Sequence, residues 1–182
     1  KQGLNGSVFA LIALDTNNYQ TVDTTIRQQC IDDILSRQLS DGGWALSGSV
    51  SDPDVTSMAL QALYPYRNQA EVSAAAEKAL TCLSDVQNED GGYSSFGDAN
   101  CESSAQVIVA ATTWGINPDT DSRFVKNKKS VVDALLTHYI EDEAAFKHVA
   151  AGSANGMATD QACYALAAYN RFMNGKTALY DM

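Results

Sequence analysis

A seven-residue pattern that recurs along the chain limits the fold more than any other feature. Residues 38–44 read Gln-Leu-Ser-Asp-Gly-Gly-Trp and residues 87–93 read Gln-Asn-Glu-Asp-Gly-Gly-Tyr, so both share Gln, Asp and two Gly and end in an aromatic residue. A decayed copy at 140–146 keeps the terminal aromatic, Phe146. Copies about 50 residues apart indicate a repeat architecture, in which each unit buries its apolar face against its neighbours.

Each copy is followed by an Ala-rich apolar segment, and a fourth such segment begins the chain. These segments are apolar on nearly every side, which predicts buried helices, and each begins near a polar residue that could cap a helix. The predicted buried helices are 5–14, 54–64, 102–111 and 159–169, with Asn5, Asp52 or Asp54, Asn100 and Thr159 as caps. More polar stretches with apolar residues three or four apart predict amphipathic helices at 23–38, 69–87 and 124–140. No segment shows the alternation of a strand.

These segments predict an all-α fold in which helical hairpins form a two-layer array. The hairpins supply about seven helices in one repeat domain spanning 1–182, with units at approximately 1–22 (partial), 23–68, 69–120 and 121–182. An open solenoid and a closed ring would both satisfy this pattern, because each unit needs only its neighbours to bury its apolar face.

Each residue type of the motif has a structural explanation. The glycines permit positive φ and close backbone approach after a helix end. The glutamines can bond exposed carbonyls or the amides of the next helix, and the aromatic rings fill the boundary between layers. The positions concerned are Gln38, Gly42, Gly43 and Trp44 in the first copy and Gln87, Gly91, Gly92 and Tyr93 in the second. Alternatively the aromatic rings stack on a ligand, which makes Trp44, Tyr93 and Phe146 ligand-binding candidates.

The Gln-x-x-x-Gly-x-Trp sequence at 38–44 resembles the repeat motif of squalene and oxidosqualene cyclases. The whole unit is similar to those of the α/α-toroid superfamily, which includes terpene cyclases, protein prenyltransferase β subunits, complement thioester domains and cobalamin carriers. The stretches at 41–46, 51–63 and 123–127 most resemble the prenyltransferase and squalene-oxidase repeat domains of bacterial secreted or surface proteins. The resemblance implies an α/α-toroid-like array. Because a closed ring takes more helix pairs than this chain supplies, we expect an incomplete ring, the C-terminal part of a larger toroid.

The enzymatic relatives need chemical groups that this sequence supplies only in part. Class II terpene cyclases carry Asp-x-Asp-Asp followed by Thr, and the matching stretch at 52–56 reads Asp-Pro-Asp-Val-Thr. Asp54 is therefore a weak catalytic candidate, and helix capping is the alternative explanation. Prenyltransferases hold zinc with an Asp-x-Cys pair and a His, and the sequence contains no such pair. No metal site and no cofactor are predicted.

Further polar residues are candidates for contact with a ligand. Asp54 and Glu102 occupy matching positions at the starts of two buried helices, where an acidic group complements the helix dipole. In a ring both would face one end of a central cavity, so together with His148 they are ligand-binding candidates. Asn117, Asp119 and Asp121 alternate as in the start of a calcium loop, but the residues that should follow are missing, which favours a simple turn. The four cysteines are interpreted as buried thiols, with Cys82 and Cys101 as a disulfide pair to test.

Charge and hydropathy narrow the classes of partner. A net charge of −10 argues against nucleic acid, since phosphate binding requires a basic surface. The longest apolar runs are far shorter than a membrane span. We therefore expect a non-catalytic scaffold or a ligand- or protein-binding module of a bacterial extracellular or cell-surface protein, the location being implied by the resemblance. The alternatives are a terpene cyclase- or prenyltransferase-like enzyme acting on a polyprenyl substrate, and a small-molecule carrier of the corrinoid type. The apolar stretch 8–14 also predicts self-association through the first helix.

Overall fold

Seven α-helices make up about half of residues 2–181, the part of the chain that the computed structural model describes. They are α1 (Leu4–Asp15), α2 (Ile26–Ser36), α3 (Pro53–Leu63), α4 (Ala70–Asp85), α5 (Cys101–Thr113), α6 (Val131–Leu136) and α7 (Gly156–Met173). Single turns of 3₁₀ helix lie at Tyr64–Tyr66, Ser122–Phe124 and Glu141–Glu143. The all-α class expected from the sequence is confirmed.

Three antiparallel hairpins, each made of strands of two residues, lie between the helices. They pair β1 (Ser94–Ser95) with β2 (Asp98–Ala99), β3 (Val125–Lys126) with β4 (Lys129–Ser130) and β5 (Tyr139–Ile140) with β6 (Ala145–Phe146). Such short strands cannot show the alternation by which a sequence reveals a strand, which explains why none was expected.

The helices pack in two rows. The first row is α1, α3, α5 and α7, in which each helix contacts the next. The second row is α2, α4 and α6, which contact α1, α3 and α5 respectively, and α2 also contacts α4. The first row comprises the Ala-rich helices predicted to be buried, and α5 in its middle has all 13 residues buried. Alanine lets these helices lie close together, because its side chain ends at Cβ.

Side-chain caps define where three helices of the first row begin. Asp52, Asn100 and Asn155 each accept a hydrogen bond from a backbone N–H in the first turn of α3, α5 and α7. This satisfies a backbone donor that the helix itself leaves unpaired. The predicted caps Asn5 and Thr159 are wrong, because both residues lie inside their helices.

The amphipathic helix predicted at 124–140 is much shorter than expected, since only 131–136 is α-helical. Asn127 and Lys128 have φ of 47° and 65° and form the turn of the β3–β4 hairpin. A left-handed backbone cannot continue a right-handed helix. α6 begins instead after Ser130, whose hydroxyl forms a reciprocal capping box with Asp133.

The N-terminal helix is less exposed than its sequence suggested. Leu4, Val8 and Leu11 are buried in the core, whereas Phe9 is half exposed. The apolar surface expected to drive self-association is therefore smaller than the whole of 8–14. Within the described residues, no helix combines the length and apolar character that a membrane span requires.

All four cysteines are free. Cys30, Cys82 and Cys101 are buried, as expected, and Cys163 on α7 is exposed. The disulfide considered between Cys82 and Cys101 does not form. Cys82 Sγ lies 3.1 Å from the hydroxyl oxygen of Ser51 instead.

Candidate functional site

The repeat motif forms the same structural connection in three units. In each unit the backbone N–H of the residue that caps the following helix donates a hydrogen bond to the carbonyl of the motif aromatic. The bonds run from Asp52 to Trp44 at 2.8 Å, from Asn100 to Tyr93 at 3.1 Å and from Asn155 to Phe146 at 2.9 Å. The decayed third copy therefore keeps the geometry of the other two after losing most of their residues.

The motif glutamines tie each loop to the second row. The side-chain N–H groups of Gln38 donate to the carbonyls of Gly42 at 2.7 Å and of Ala75 in α4 at 2.8 Å. Gln87 repeats this pattern with the carbonyls of Gly91 at 2.7 Å and Phe124 at 2.9 Å. Each side chain thus holds its own loop and the next second-row segment together.

Gly42 and Gly91 occupy positions where no other residue fits without strain. Their φ values are 92° and 87°. A Cβ on Gly42 would lie 2.7 Å from the carbonyl oxygen of Lys78, and one on Gly91 would lie 2.7 Å from that of Lys129. In the third copy Ala144 takes the left-handed position, with φ of 48°.

The three motif aromatics are structural in this geometry. Trp44 and Tyr93 are 0% exposed and Phe146 is 4% exposed. Trp44 Nε1 donates to the carbonyl of Ile34 at 2.7 Å, and the Tyr93 hydroxyl donates to that of Leu83 at 3.0 Å. Rings without accessible surface cannot stack on a ligand, so the alternative interpretation of these residues does not fit the structure.

A line of polar side chains crosses the otherwise apolar first row. On α3 the residues Asp54, Met58 and Gln61 stand at i, i+4 and i+7 and therefore share a helix face. Asp54 and Met58 are the two residues of α3 that are not buried, so this face is where α3 meets solvent. On α5 the matching positions hold Glu102 and Gln106, with Thr113 further along the same face at i+11, and on α7 they hold Met157, Gln161 and Tyr164. We call these nine residues the polar face.

A ladder of amide side chains runs along the middle of the polar face. Gln61 Nε2 donates to Gln106 Oε1 at 3.1 Å, and Gln106 Nε2 donates to Gln161 Oε1 at 3.0 Å. The same amide of Gln106 donates to the hydroxyl oxygen of Tyr164. Burial raises the pKa of the Tyr164 hydroxyl above its ordinary value. The ladder joins three first-row helices through polar contacts in a region otherwise held by apolar packing.

One end of the polar face is acidic and brings together three of the residues predicted from the sequence. Glu102 is buried, and its carboxylate lies 2.7 Å from Nδ1 of His148. Burial, followed by the nearby charge of Asp52, raises the pKa of Asp54 to about 6. The charge of Glu102 acts in the same direction, whereas Ser103 and His148 lower the pKa. Asp54, Glu102 and His148 therefore form one electrostatic neighbourhood.

Two buried oxygen atoms at the acidic end have no hydrogen-bond partner within the described chain. They are Oδ1 of Asp54 and Oγ of Ser103. Ser103 lies close enough to influence the pKa of Asp54, yet the two groups do not reach hydrogen-bonding geometry. Buried polar atoms without partners are costly, so each one in a native structure requires an explanation.

Residues 2–181 contain no group of three His, Cys, Asp or Glu side chains placed to hold a metal ion. The calcium-like stretch forms a turn, in which Asn117 Oδ1 accepts a hydrogen bond from the N–H of Asp119 at 2.9 Å. Asp121 is bound by both the Nε and Nη2 atoms of Arg123, each at 2.8 Å. The Asp121 carboxylate is therefore already paired with a cation of the protein itself.

The other end of the polar face opens into a cavity of about 530 Å³ that the sequence did not reveal. It lies where α1, α3 and α5 end, and the segment 178–181 forms another wall. Gln61 and Thr113 of the polar face line it, together with Tyr64, Arg67 and Tyr180. The sequence held one usable signal, since Gln61, Gln106 and Gln161 interrupt segments that are otherwise apolar.

No protein-family model, no curated protein and no solved structure matches this chain. What it does must therefore be inferred from its motif, its helix rows and its polar face.

Proposed function

We propose that this chain is a non-catalytic binding module of the α/α-toroid type, part of a bacterial extracellular or cell-surface protein. The proposal takes the polar face as the surface that receives a ligand or a partner protein. Two rows of helices, with the Ala-rich row next to the amphipathic row, are what an incomplete toroid requires. The location rests on the resemblance of the repeat motif to that of bacterial surface domains.

The polar face is the single observation that carries the proposal. Folding favours apolar residues along buried helices, because a polar group there must find a partner to offset its lost hydration. Seven of the nine residues of the polar face are polar or charged, and these seven depart from the apolar pattern on three neighbouring helices. A departure from the folding pattern that is shared by several elements is typical of a functional surface.

The motif itself supports a scaffold role. The side-chain N–H groups of its glutamines hold loops to helices, and its aromatic rings are buried. The scaffold then presents the polar face on rigid helices, which position side chains more precisely than loops do.

A cyclase-like enzyme is the second candidate, because a pKa of about 6 leaves the Asp54 carboxyl partly protonated near neutral pH. A proton donor of this kind needs a pKa tuned by its surroundings and a substrate site beside it. Asp54 does not line the cavity at the far end of the polar face. Its carboxyl also lacks the adjacent acid of the cyclase motif, since Val55 follows it. Both points favour binding over catalysis.

A screen of a diverse fragment library by ligand-observed NMR tests the proposed function. The informative variant is Met157→Glu, which adds charge and bulk at an exposed position of the polar face (66% exposed). Met173→Glu is the matched control, because Met173 is 56% exposed at the end of the same helix and outside the polar face. We expect fragments that bind the native protein and the control but lose affinity for Met157→Glu. Fragments that bind all three proteins equally, or an absence of any binding, would contradict the proposal.

The enzyme alternative has its own test. The protein is incubated with farnesyl diphosphate and with squalene, and cyclised products are sought by mass spectrometry. We expect no product. A product that forms with the native protein and disappears in Asp54→Asn would establish the enzyme and overturn the non-catalytic proposal. Binding of a corrinoid in the fragment screen format would instead favour the carrier form of the binding function.

A further inference from the structure

We infer that the cavity at the end of the polar face binds a neutral saccharide. The inference rests on the proposed binding function and names both the place and the class of ligand. The cavity volume of about 530 Å³ falls within the range of about 300–1,000 Å³ that small-molecule sites occupy.

The charges that line the cavity cancel. Two of its side chains are arginines, Arg27 and Arg67, and two are aspartates, Asp15 and Asp181, so their formal charges sum to zero. Asp15 is held at 2.7 Å by Arg27 Nε, and this ion pair is partly buried. A phosphate-bearing ligand needs an excess of positive charge, which this lining does not offer. The balance of charges favours a neutral ligand.

Three tyrosines give the cavity apolar walls. The Tyr66 hydroxyl donates to Asp15 Oδ2 at 2.7 Å, which fixes the position of its ring. The guanidinium of Arg67 lies 4.2 Å from the centre of the Tyr64 ring, which orients the cation at the wall. Tyr180, on the segment 178–181 that lines the cavity, is 40% exposed. Aromatic rings pack well against the C–H faces of a sugar ring, since both surfaces are flat and apolar.

Several polar groups at the cavity wall have donors or acceptors that remain unpaired within the described part of the chain. Within residues 2–181, Thr113 Oγ1, the Tyr180 hydroxyl and Gln61 Oε1 take part in no hydrogen bond. Arg67 donates to the carbonyl of Tyr64 and keeps further N–H groups. A sugar hydroxyl both donates and accepts, so it can satisfy either kind of group. An apolar ligand would bury these groups without partners, which is unfavourable.

Together these features describe a neutral site with aromatic walls and a mixed set of donors and acceptors. The tyrosine rings would contact the C–H face of a sugar, and the unpaired polar groups would bind its hydroxyls. The sequence did not predict it, because the wall is assembled from the ends of three helices and from the distant segment 178–181.

Saturation-transfer NMR with D-glucose, D-galactose, N-acetyl-D-glucosamine and maltose tests the inference, with adenosine and inorganic phosphate as ligands of other chemical classes. We expect at least one saccharide to bind. Tyr180→Ala should weaken its affinity about tenfold or more, whereas Tyr180→Phe, which keeps the ring, should weaken it less. The matched control is Phe96→Ala, which removes a fully exposed aromatic from the β1–β2 hairpin and should leave binding unchanged. Circular dichroism confirms that each variant is folded.

Absence of saccharide binding, binding that Tyr180→Ala leaves unchanged, or tighter binding of adenosine or phosphate would overturn the inference. The proposed function would survive any of these results if fragments still bound the polar face in a way that Met157→Glu abolishes. If neither fragments nor saccharides bind, the inference and the proposed function fail together.

Discussion

Replacement of Gly42 by alanine should destabilise the protein strongly for two separable reasons. The first is conformational, because φ of 92° is unfavourable for a residue with a Cβ. The second is steric, because the new Cβ would lie 2.7 Å from the Lys78 carbonyl oxygen and 3.0 Å from the Lys78 carbonyl carbon. These are atoms of the α4 backbone, which cannot move aside without disturbing the second row.

Gly48 separates these two contributions. It has a similar φ of 85°, but a Cβ placed on it meets nothing within 4 Å. Gly48→Ala therefore carries only the conformational cost, about 1–2 kcal/mol for a left-handed backbone. Gly42→Ala adds the cost of forcing an extra methyl group into a packed contact, about 1–3 kcal/mol. We expect Gly42→Ala to lower the free energy of unfolding by about 2–5 kcal/mol.

Urea denaturation followed by tryptophan fluorescence provides the measurement, since Trp44 lies fully buried beside the loop. The free energies of unfolding of native protein, Gly42→Ala and Gly48→Ala are compared under the same conditions. If the two variants lose the same amount, the close approach of the loop to α4 does not exist as described, and the structural explanation of the motif is refuted.

Other predictions address the motif glutamines, the acidic end and the thiols. Gln87→Ala should lower the free energy of unfolding by about 2–3 kcal/mol, and by more than Gln38→Ala, because the Gln87 side chain is buried whereas that of Gln38 is partly exposed. Equal losses in urea denaturation would argue against this. The raised pKa of Asp54 means that folding favours its protonated form, so the stability associated with this group is full below pH 3.8 and is lost as the pH rises through about 6. Asp54→Asn should therefore stabilise the protein at pH 8 by about 1–2 kcal/mol, after allowance for partial solvation, and should change its stability little at pH 3.5. Thermal denaturation at the two pH values measures both effects. Equal effects at the two pH values would show that the pKa of Asp54 is not raised. A thiol reagent should label one cysteine, Cys163, in the native protein and all four after unfolding, and rapid native labelling of more than one would contradict the burial of the rest.

Regular features of the sequence predicted the framework well. The apolar helices α3, α5 and α7 and the motif roles of Gln38 and Gln87 follow from periodicity and residue type, because burial and loop geometry select them directly. The extent of α6 was missed because the left-handed turn at Asn127 and Lys128 uses residues other than glycine, so no local signal marked it. The cap Asn155 was missed for a related reason, since Thr159 within the helix is an equally good candidate by residue type.

The candidate site was predicted only in part. Asp54 and Glu102 were recognised because they occupy matching positions in their repeats, and the structure places them in one electrostatic neighbourhood with His148. The Gln61–Gln106 contact and the cavity depend on which helix faces meet, and contacts between residues about 45 positions apart leave no trace in a local pattern. Repeats reveal what recurs in every unit, whereas the cavity is formed by parts that differ from unit to unit.

The central claim is that the polar face binds a ligand while the motif loops are purely structural. An amide chemical-shift map of the ¹⁵N-labelled protein, recorded with the tightest-binding fragment, tests it most directly. We expect shift changes at residues of the polar face, including Gln106 and Tyr164, and none in the loops that carry Trp44 and Tyr93. Shifts confined to those loops, with the polar face unaffected, would contradict it.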